Sequence, residues 1–434
     1  MGNEQEKDSL INDEETYNVG EITAKLVAKA FWKEEVNQEL SDLGIDEKWT
    51  FVPNAAGCLS GNYDDAMEYA NKHRSHSIYS HDCSDLCKKK GCGALYVADG
   101  NWKLRYAHCM WKVPVVIEGF GKINYPSVCP LTPVRGKAFC DAHVKVAEKQ
   151  QIKTDLREFL KSCGSNENDC CETDKMVLRS HDKMEEQLDK LAESSNVNAT
   201  TYQGTSDFLE KYHNAIDGAN SDQIEDIQCN KDTGGKTTLH SWSRGSMWIV
   251  TAGGIIEYFQ PLYRSESPTQ AFVIFMSWLL LKFKPMIENG LDNEEVTKAI
   301  ESTILSYDNM CHVDNMKICR QDLTLPAPLN LSWKLLGKVI DRLHLRNHKD
   351  PKCKKYYDPD GKVPKEFNSM AAEQTFVWAS RMKKIVCAMP RLHHFFYVHR
   401  AIKRRNAYTQ RCYKLNKNPV LPKLSKDHYT SDIN

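Results

Sequence analysis

The sequence lacks a net charge, an apolar run long enough to cross a membrane and a secretion signal. Fifty-eight basic and fifty-eight acidic residues cancel, so the overall charge neither indicates nor excludes a nucleic-acid partner. The most apolar run, residues 271–283, is shorter than the ~18 residues of a membrane helix, which favours a buried helix. The acidic N-terminus has no apolar centre of the kind that secretion signals carry. We therefore expect an intracellular protein that does not enter a membrane.

Acidic residues are also missing from one long stretch near the C-terminus. Residues 376–426 contain no Asp or Glu but thirteen Lys and Arg. Five aromatic residues lie between Arg381 and Lys426: Phe395, Phe396, Tyr397, Tyr408 and Tyr413. Because basic side chains attract phosphates and aromatic rings stack on unpaired bases, the stretch predicts nucleic-acid binding. The alternative is that these side chains are merely solvated. In either case a basic tail is predicted over residues 401–434.

The rest of the chain divides by composition. Residues 1–20 are acidic and polar and are predicted to be disordered. A helical region is expected over 21–80, and a zinc-binding cysteine cluster is expected over 81–148. Residues 149–238 are highly charged and predict a polar helical insertion, and a compact pattern returns at 239–400.

Cysteine is abundant, with sixteen residues, and in a reducing compartment this favours metal binding over disulfides. Thiolate sulfur and imidazole nitrogen are the ligands that Zn²⁺ prefers. The predicted zinc ligands are Cys83, Cys87, Cys92, Cys109, Cys129, Cys140 and His143. Because this stretch has little apolar mass to fold around, we expect the zinc to be structural. Buried free thiols are the alternative, and the division of the ligands between ions stays open.

Regular elements are predicted throughout the C-terminal half. Residues 246–259 predict a hairpin around two glycines. A helix over 267–290 has an N-cap serine, a proline at its first position and a capping-box glutamine. A strand at 304–308, a second strand at 337–344 and a helix at 368–386 follow.

Carboxylates stand at the ends of two predicted strands and on one helix. Asp99 ends a strand over 93–99, Asp308 ends a later strand, and Glu373 lies on the last predicted helix. Hard oxygen ligands that converge from separate elements bind Mg²⁺ or Mn²⁺ for phosphoryl transfer. The alternative for Asp99 is an ordinary Asp-Gly turn.

A further polar group lies between the last two carboxylates. Asp341 and His344 form an Asp-x-x-His pair, and His348 and Cys353 follow. His344 and His348 could share a metal if this segment were helical. We favour a turn that leaves the strand, with His344 stabilising the fold or contacting DNA.

The order strand, hairpin, helix, strand, strand, helix predicts an α/β fold. We expect a ribonuclease-H-like mixed sheet with flanking helices, preceded by a small zinc-binding cysteine module and interrupted by the polar helical insertion. The strand over 93–99 is then a candidate for the first strand of that sheet.

Taken together, these features resemble the Kyakuja–Dileera–Zisupton (KDZ) transposase family, preceded by a cysteine cluster of the CxC type. The resemblance covers residues 80–145 and 240–400. The matching pieces are CSDLCKKKGC, VADGNWKLRYAHC, VCPLTPVRGKAFCDAH, SRGSMWIVTAGGIIEYFQPLYRSESPTQ, YDNMC, VIDRLHLRNHKDPKCKKYYDPDG and NSMAAEQTFVWAS.

The resemblance implies roles for individual residues. Asp99, Asp308 and Glu373 match the first, second and third catalytic carboxylates, and Asp341 and His344 match the Asp-x-x-His pair between the last two. It also implies metal-dependent cleavage and strand transfer of DNA, with structural Zn²⁺, catalytic Mg²⁺ or Mn²⁺ and a nuclear location. DNA is the expected partner, and self-association stays open.

Two alternatives remain from other classes of protein. The chain could be a host-retained, catalytically inactive protein that keeps zinc and DNA binding. It could also be a protein-interaction module built on the cysteine cluster. The 434 residues are few for the transposase of an autonomous element, which leaves a fragment or a host-retained derivative open.

Overall fold

The computed structural model describes most of the chain, and several gaps separate the described parts. The described residues are 23–51, 59–113, 115–116, 126–162, 200–201, 243–323 and 325–419. The acidic tail predicted over 1–20 lies outside them. Of the insertion predicted over 149–238, only 149–162 and 200–201 are described.

The chain divides into two compact units. Of the described residues, the first unit contains those up to 74 together with 389–402, and the second contains those from 75 to 388 together with 403–419. The last helix, Arg391–Lys414, therefore contributes its beginning to the first unit and its end to the second.

The first unit contains the helix Ala24–Asp42, which lies within the helical region predicted over 21–80. The hydroxyl of Thr23 accepts a hydrogen bond from the backbone N–H of Leu26 and caps the helix. Trp32 on this helix packs edge-on against the ring of His393 at a centroid distance of 4.9 Å. The helix Tyr63–Ser75 supplies further apolar residues to this small core.

A mixed five-stranded sheet organises the second unit. Its strands in chain order are β1 (Leu95–Ala107), β2 (Ser243–Thr251), β3 (Ile256–Tyr263), β4 (Ile304–Tyr307) and β5 (Gly337–Val339). The spatial order is β3-β2-β1-β4-β5. The first three strands are antiparallel neighbours, whereas β4 runs parallel to β1 and β5 runs parallel to β4.

The register between β1 and β4 matters most for the site. Ala98 lies opposite Tyr307 across this parallel pair. The next residue on each strand is a carboxylate, Asp99 on one and Asp308 on the other. Since parallel strands advance together, these two side chains are brought to the same level of the sheet.

The helix Pro268–Glu288 packs against the sheet and forms much of the core. The ring of Trp278 lies 4.9 Å from that of Tyr96 on β1, and the ring of Phe275 lies 5.2 Å from that of Tyr307 on β4, measured between ring centroids. Within the described residues, this helix is long and apolar enough by length and composition to cross a membrane. Here 72% of its most apolar window is buried inside the protein.

The start of this helix differs in one detail from the expected capping box. Ser267 caps the helix as predicted, accepting a hydrogen bond from the backbone N–H of Gln270. The side chain of Gln270, however, pairs with the backbone of Tyr263, accepting from its N–H at 2.8 Å and donating to its C=O at 3.1 Å. The glutamine therefore ties the helix to the end of β3.

Shorter elements complete the second unit. The remaining helices are Asp85–Lys89, Asp141–Lys149, Leu156–Ser162, Asn293–Glu301, Met310–Asp314, Lys317–Arg320, Ser332–Leu335, Pro351–Tyr357, Ala371–Ala379 and Lys383–Val386. Single 3₁₀ turns lie at Leu329–Leu331, His344–Asn347 and Ser380–Met382. Two-residue parallel pairs join Trp49–Thr50 of the first unit to Leu59–Ser60, and Val115–Val116 to Thr200–Thr201.

Two predicted elements are shorter than expected. The strand predicted over 337–344 ends at Val339 because the carboxylate of Asp341 accepts hydrogen bonds from the backbone N–H groups of Leu343 and His344 and turns the chain. The helix predicted over 368–386 is continuous only over Ala371–Ala379 and continues through a 3₁₀ turn into a second short helix.

The helix Arg391–Lys414 runs through the first part of the basic tail predicted over residues 401–434. The side-chain amide of Asn406 accepts from the N–H of Ile256 and donates to its C=O, which fixes the helix to the edge strand β3. Residues 420–434 lie outside the described part of the chain.

Part of the predicted nucleic-acid surface is core instead. Phe395 and Phe396 are only 4% and 1% exposed, so their rings cannot stack on bases. Arg400 is buried as well, and its guanidinium donates to the carboxylates of Glu35 and Glu39 in the first unit. A buried ion pair of this kind cannot contact a phosphate, so fewer basic residues are available than the sequence indicated.

Candidate metal centres

Three carboxylates from separate elements meet beside the end of β4. Asp99 does not end a strand, as the prediction over 93–99 had it, because β1 continues to Ala107 in pairing with β2. Asp99 lies on β1, Asp308 follows β4, and Glu266 lies between β3 and the helix Pro268–Glu288. One oxygen of each lies within 4.8 Å of the others. Oxygen donors at this spacing form a group that could hold a divalent cation.

The surroundings hold these carboxylates in place. The backbone N–H of Gly100 donates to Oδ1 of Asp99 at 2.6 Å. Glu266 accepts hydrogen bonds from the hydroxyl of Tyr307 at 2.6 Å and from the indole N–H of Trp102 at 3.3 Å. The fold therefore orients the group through contacts made by β1 and β4.

Electrostatics explain why this arrangement favours a cation. Burial, followed by the negative charges of Asp308 and Glu266, raises the pKa of Asp99 well above its ordinary value. Neighbouring carboxylates repel each other when all are ionised, and either a proton or a bound cation relieves that repulsion. In this position a divalent ion would compete with the proton for Asp99.

The predicted Asp341–His344 pair lies beside this group. Nδ1 of His344 is 2.5 Å from a carboxylate oxygen of Asp341, and Nε2 is 3.5 Å from Oε1 of Glu373. The hydrogen bond with Asp341 raises the pKa of His344 to about 9, so the imidazole is charged at neutral pH. Burial opposes ionisation of Asp341, but the hydrogen bonds from His344 and Leu343 lower its pKa nevertheless.

The structure thus distributes the predicted catalytic residues over two adjoining groups. Asp99 and Asp308 are together in the first, and Asp341, His344 and Glu373 form the second. Burial raises the pKa of Glu373, which does not join the three-carboxylate group. Sequence reasoning missed Glu266, because a glutamate directly before a capped helix looks like part of the cap.

A first cysteine group consists of His81, Cys83, Cys87 and Cys92, whose donor atoms all lie within 4.8 Å of one another. Nε2 of His81 is 3.1 Å from the sulfur of Cys92 and 3.8 Å from that of Cys87. The hydrogen bonds from Cys87 and His81 lower the pKa of Cys92 against the effect of burial, which favours the thiolate that a metal ion requires.

The first cysteine group packs against the hairpin of the sheet. A Cβ atom at Gly253, in the turn between β2 and β3, would lie 2.6 Å from the sulfur of Cys87. The hydroxyl of Tyr413 on the last helix donates to the carbonyl of Gly253 at 2.6 Å. Glycine is therefore required here by the close approach of the sulfur.

A second cysteine group consists of Cys109, Cys129, Cys140 and His143, again with all donor atoms within 4.8 Å. Nδ1 of His143 is 3.2 Å from the sulfur of Cys140 and 3.4 Å from that of Cys109. Cys140 is the N-cap of the helix Asp141–Lys149, so His143 lies in its first turn. The indole of Trp111 stacks on the His143 ring, with a 7° angle between the planes.

All seven predicted zinc ligands belong to these two groups, and neither group shares a residue with the other. His81 completes the first group and was missed, although it stands two residues before Cys83. Each group offers three thiols and one imidazole, which is a donor set that could hold a metal ion such as zinc.

An exposed basic surface adjoins the carboxylates. Lys103 and Arg105 are exposed on β1, and Lys383 and Lys384 are exposed on the short helix that follows Glu373. The thiol of Cys387 donates to the backbone carbonyl of Lys103 at 3.6 Å, so the two segments are in contact. These side chains form a positive surface beside the acidic group, unlike the buried Arg400.

Comparison of the chain with models of protein families, with curated proteins and with solved structures found no match.

Proposed function

We propose that this chain is a DNA-binding protein of the KDZ transposase type, which cleaves phosphodiester bonds in a metal-dependent reaction and transfers the resulting strand. The observation that carries this proposal is the convergence of Asp99, Glu266 and Asp308 within 4.8 Å beside the end of β4. Metal-dependent phosphoryl transfer requires such carboxylates from separate elements, held by a rigid scaffold.

The sheet supports a ribonuclease-H-like core. Three antiparallel strands are followed by two strands that run parallel to the first, in the order β3-β2-β1-β4-β5. This is the arrangement expected of that fold. Its first and fourth strands are adjacent and parallel, and both carry carboxylates of the proposed site.

The donor set fits Mg²⁺ or Mn²⁺, because all three members offer carboxylate oxygen. A bound ion of this kind would polarise a phosphate and stabilise the charge that develops on its oxygens. Asp99, Glu266 and Asp308 would hold it, and Tyr307 and Trp102 orient Glu266 through their hydrogen bonds.

His344 has a separate role in this proposal. Its imidazolium is held by Asp341 and faces Glu373, so it balances the negative charge beside the acidic group. Glu373 is then positioned to accept a proton from a group that approaches the cation site.

The basic surface formed by Lys103, Arg105, Lys383 and Lys384 gives the DNA backbone a place to bind beside the carboxylates. Phosphate contacts of this type position a duplex without reading its sequence. Burial raises the pKa of Glu373, whereas the positive charge of Lys103 lowers it. This interaction supports a basic surface that neighbours the acidic one.

The two groups of three cysteines and one histidine are proposed to hold structural zinc. Each is closed by four protein ligands, as structural zinc sites are, with no position left open for a substrate. The ions would stabilise the segments 81–92 and 109–143, which flank β1 on both sides along the chain.

The experiment is a cleavage assay of the full chain on duplex DNA with Mg²⁺ or Mn²⁺, comparing wild type with Asp308→Asn. The variant should bind DNA normally and lose cleavage by about a hundredfold or more, because the amide keeps the shape and removes the charge. Asp322→Asn is the matched control, since it removes only a surface ion pair with Lys334.

Equal cleavage by wild type and Asp308→Asn would overturn the assignment of Asp308. DNA binding without cleavage by the wild type with either ion would instead identify the chain as an inactive, zinc-containing DNA-binding protein.

A further inference from the structure

A third group of metal-binding side chains lies outside both predicted cysteine groups. It consists of Cys311, His348 and Cys353, whose donor atoms all lie within 4.8 Å of one another. We propose that these residues bind a third zinc ion, which fixes the turn that carries Asp308 against the turn that carries His344.

The three ligands come from three short elements. Cys311 lies on the helix Met310–Asp314, which begins directly after the Asp308 turn. His348 ends the 3₁₀ turn His344–Asn347, and Cys353 lies on the next helix. Elements this short have little stability of their own. An ion bound by all three would stabilise them and fix their relative positions.

The geometry is that of a soft metal site. Nδ1 of His348 is 3.6 Å from the sulfur of Cys311. The two cysteines are only 3% and 1% exposed, so both sulfurs point into the protein. Two thiolates and one imidazole match the preference of Zn²⁺ rather than that of Mg²⁺.

Charge supports the same assignment. Binding replaces the thiol protons of Cys311 and Cys353, which pass to solvent, and the two thiolate charges neutralise the charge of Zn²⁺. Among the described residues no fourth Cys, His, Asp or Glu joins the group. The fourth position of the tetrahedron therefore falls to water or to a backbone oxygen.

The chain also connects this group to the carboxylate site, because Cys311 stands three residues after Asp308, on the helix Met310–Asp314. His348 likewise stands four residues after His344. The zinc would thus orient Asp308 through Cys311. This positioning role rests on the function proposed above, whereas the presence of the zinc does not.

The test of the site is a count of zinc ions bound to the purified full chain, by elemental analysis and native mass spectrometry. We expect three ions in the wild type, one for each Cys/His group, and two in Cys353→Ser. The control is Cys319→Ser, because Cys319 is also buried nearby but belongs to none of the groups found in the described residues. It should retain three ions.

A cobalt-substituted protein keeps the test decisive if Cys353→Ser folds poorly. The three groups contain eight cysteines, of which the third group supplies two, so His348→Gln or Cys353→Ser should lower the thiolate-to-cobalt absorption by up to about one quarter. Asp308→Asn should keep three zinc ions, which shows that the third ion is not held by the carboxylates.

Two zinc ions in the wild type, or three in folded Cys353→Ser, would overturn the proposed site. The positioning role has its own readout, the Mg²⁺ concentration at half-maximal DNA cleavage. It should rise about tenfold in Cys353→Ser with DNA binding unchanged. An unchanged Mg²⁺ requirement in a variant that has lost the third ion would reduce the site to a purely structural one, while the zinc count would stand even if the wild type cleaves no DNA.

Discussion

The first cysteine group and the carboxylate group are assembled in opposite ways. The side chains of the first cysteine group lie within the short segment from His81 to Cys92. The carboxylates, in contrast, extend along the chain from Asp99 to Asp308. Thiols and an imidazole that lie close together along the chain can form a site with little contribution from distant parts of the fold. Carboxylates so far apart meet only because β1 and β4 are parallel neighbours in register.

The two sites also relate differently to stability. A bound zinc supplies folding free energy to segments that have little core of their own. Buried carboxylates that repel each other cost folding free energy until a cation or proton binds. Removing a ligand should therefore unfold part of the protein in the first case and leave the fold intact in the second.

The largest expected effect is the loss of a zinc ligand. In Cys140→Ser we expect the region from Cys109 to His143 to unfold and the melting temperature to fall by about 10 °C or more, because the binding energy of structural zinc is folding energy. Calorimetry and zinc analysis check this together. Cys387→Ser, which alters a half-buried thiol outside the metal groups of the described residues, should melt like the wild type.

A melting temperature of Cys140→Ser equal to that of the cysteine control would make the second group a set of buried thiols without structural zinc. The stabilisation expected of the first cysteine group would then not extend to the second.

A smaller effect is expected where the first cysteine group meets the hairpin. Gly253→Ala places a methyl group 2.6 Å from the sulfur of Cys87, so one of them must move, at a cost of about 1–3 kcal/mol. We expect zinc at this group to be bound more weakly, as measured by competition with a chelator. The control is Gly254→Ala, where the added atom meets open space but the φ of +81° strains the backbone.

Both variants should lose stability, but only Gly253→Ala should lose zinc affinity. Equal zinc affinity in the two variants would show that the hairpin and the cysteine group are not coupled.

These differences explain which parts the sequence could predict. The cysteines and the hairpin were predictable because their signals are local: close spacing for the ligands and two glycines for the turn. His81 was missed because a single histidine beside a cysteine has no distinctive spacing. Glu266 was missed for a different reason, since only the fold brings it to Asp99.

The elements near the site show the same limit. The strand over 337–344 was predicted too long because side-chain hydrogen bonds of Asp341 end it, and propensity does not register such bonds. The aromatic residues Phe395 and Phe396 looked like a base-stacking surface because helical burial depends on neighbours that the local sequence does not contain.

The smallest expected effect concerns pH. The pKa of His344 is raised to about 9 by its hydrogen bond with Asp341. The resulting stabilisation is complete below a pH of about 6.5 and is lost as the pH rises through 9, because the folded state holds the proton more tightly. The metal-free wild type should lose on the order of 2 kcal/mol of unfolding free energy over this range relative to His344→Gln.

Urea unfolding of both proteins between pH 6 and pH 10 measures this difference. If the unfolding free energies of wild type and His344→Gln change in parallel with pH, the folded state does not bind the His344 proton more tightly than the unfolded state.

The central claim is that Asp99, Glu266 and Asp308 form one cation site, and direct titration with Mn²⁺ tests it. After zinc is loaded in the cysteine groups, calorimetry should detect a Mn²⁺ ion bound by the wild type and displaced by Mg²⁺. Asp99→Asn, Glu266→Gln and Asp308→Asn should each weaken this binding by at least about tenfold while remaining folded. Wild type that binds no Mn²⁺ here, or three variants that bind it as tightly as the wild type, would contradict the account.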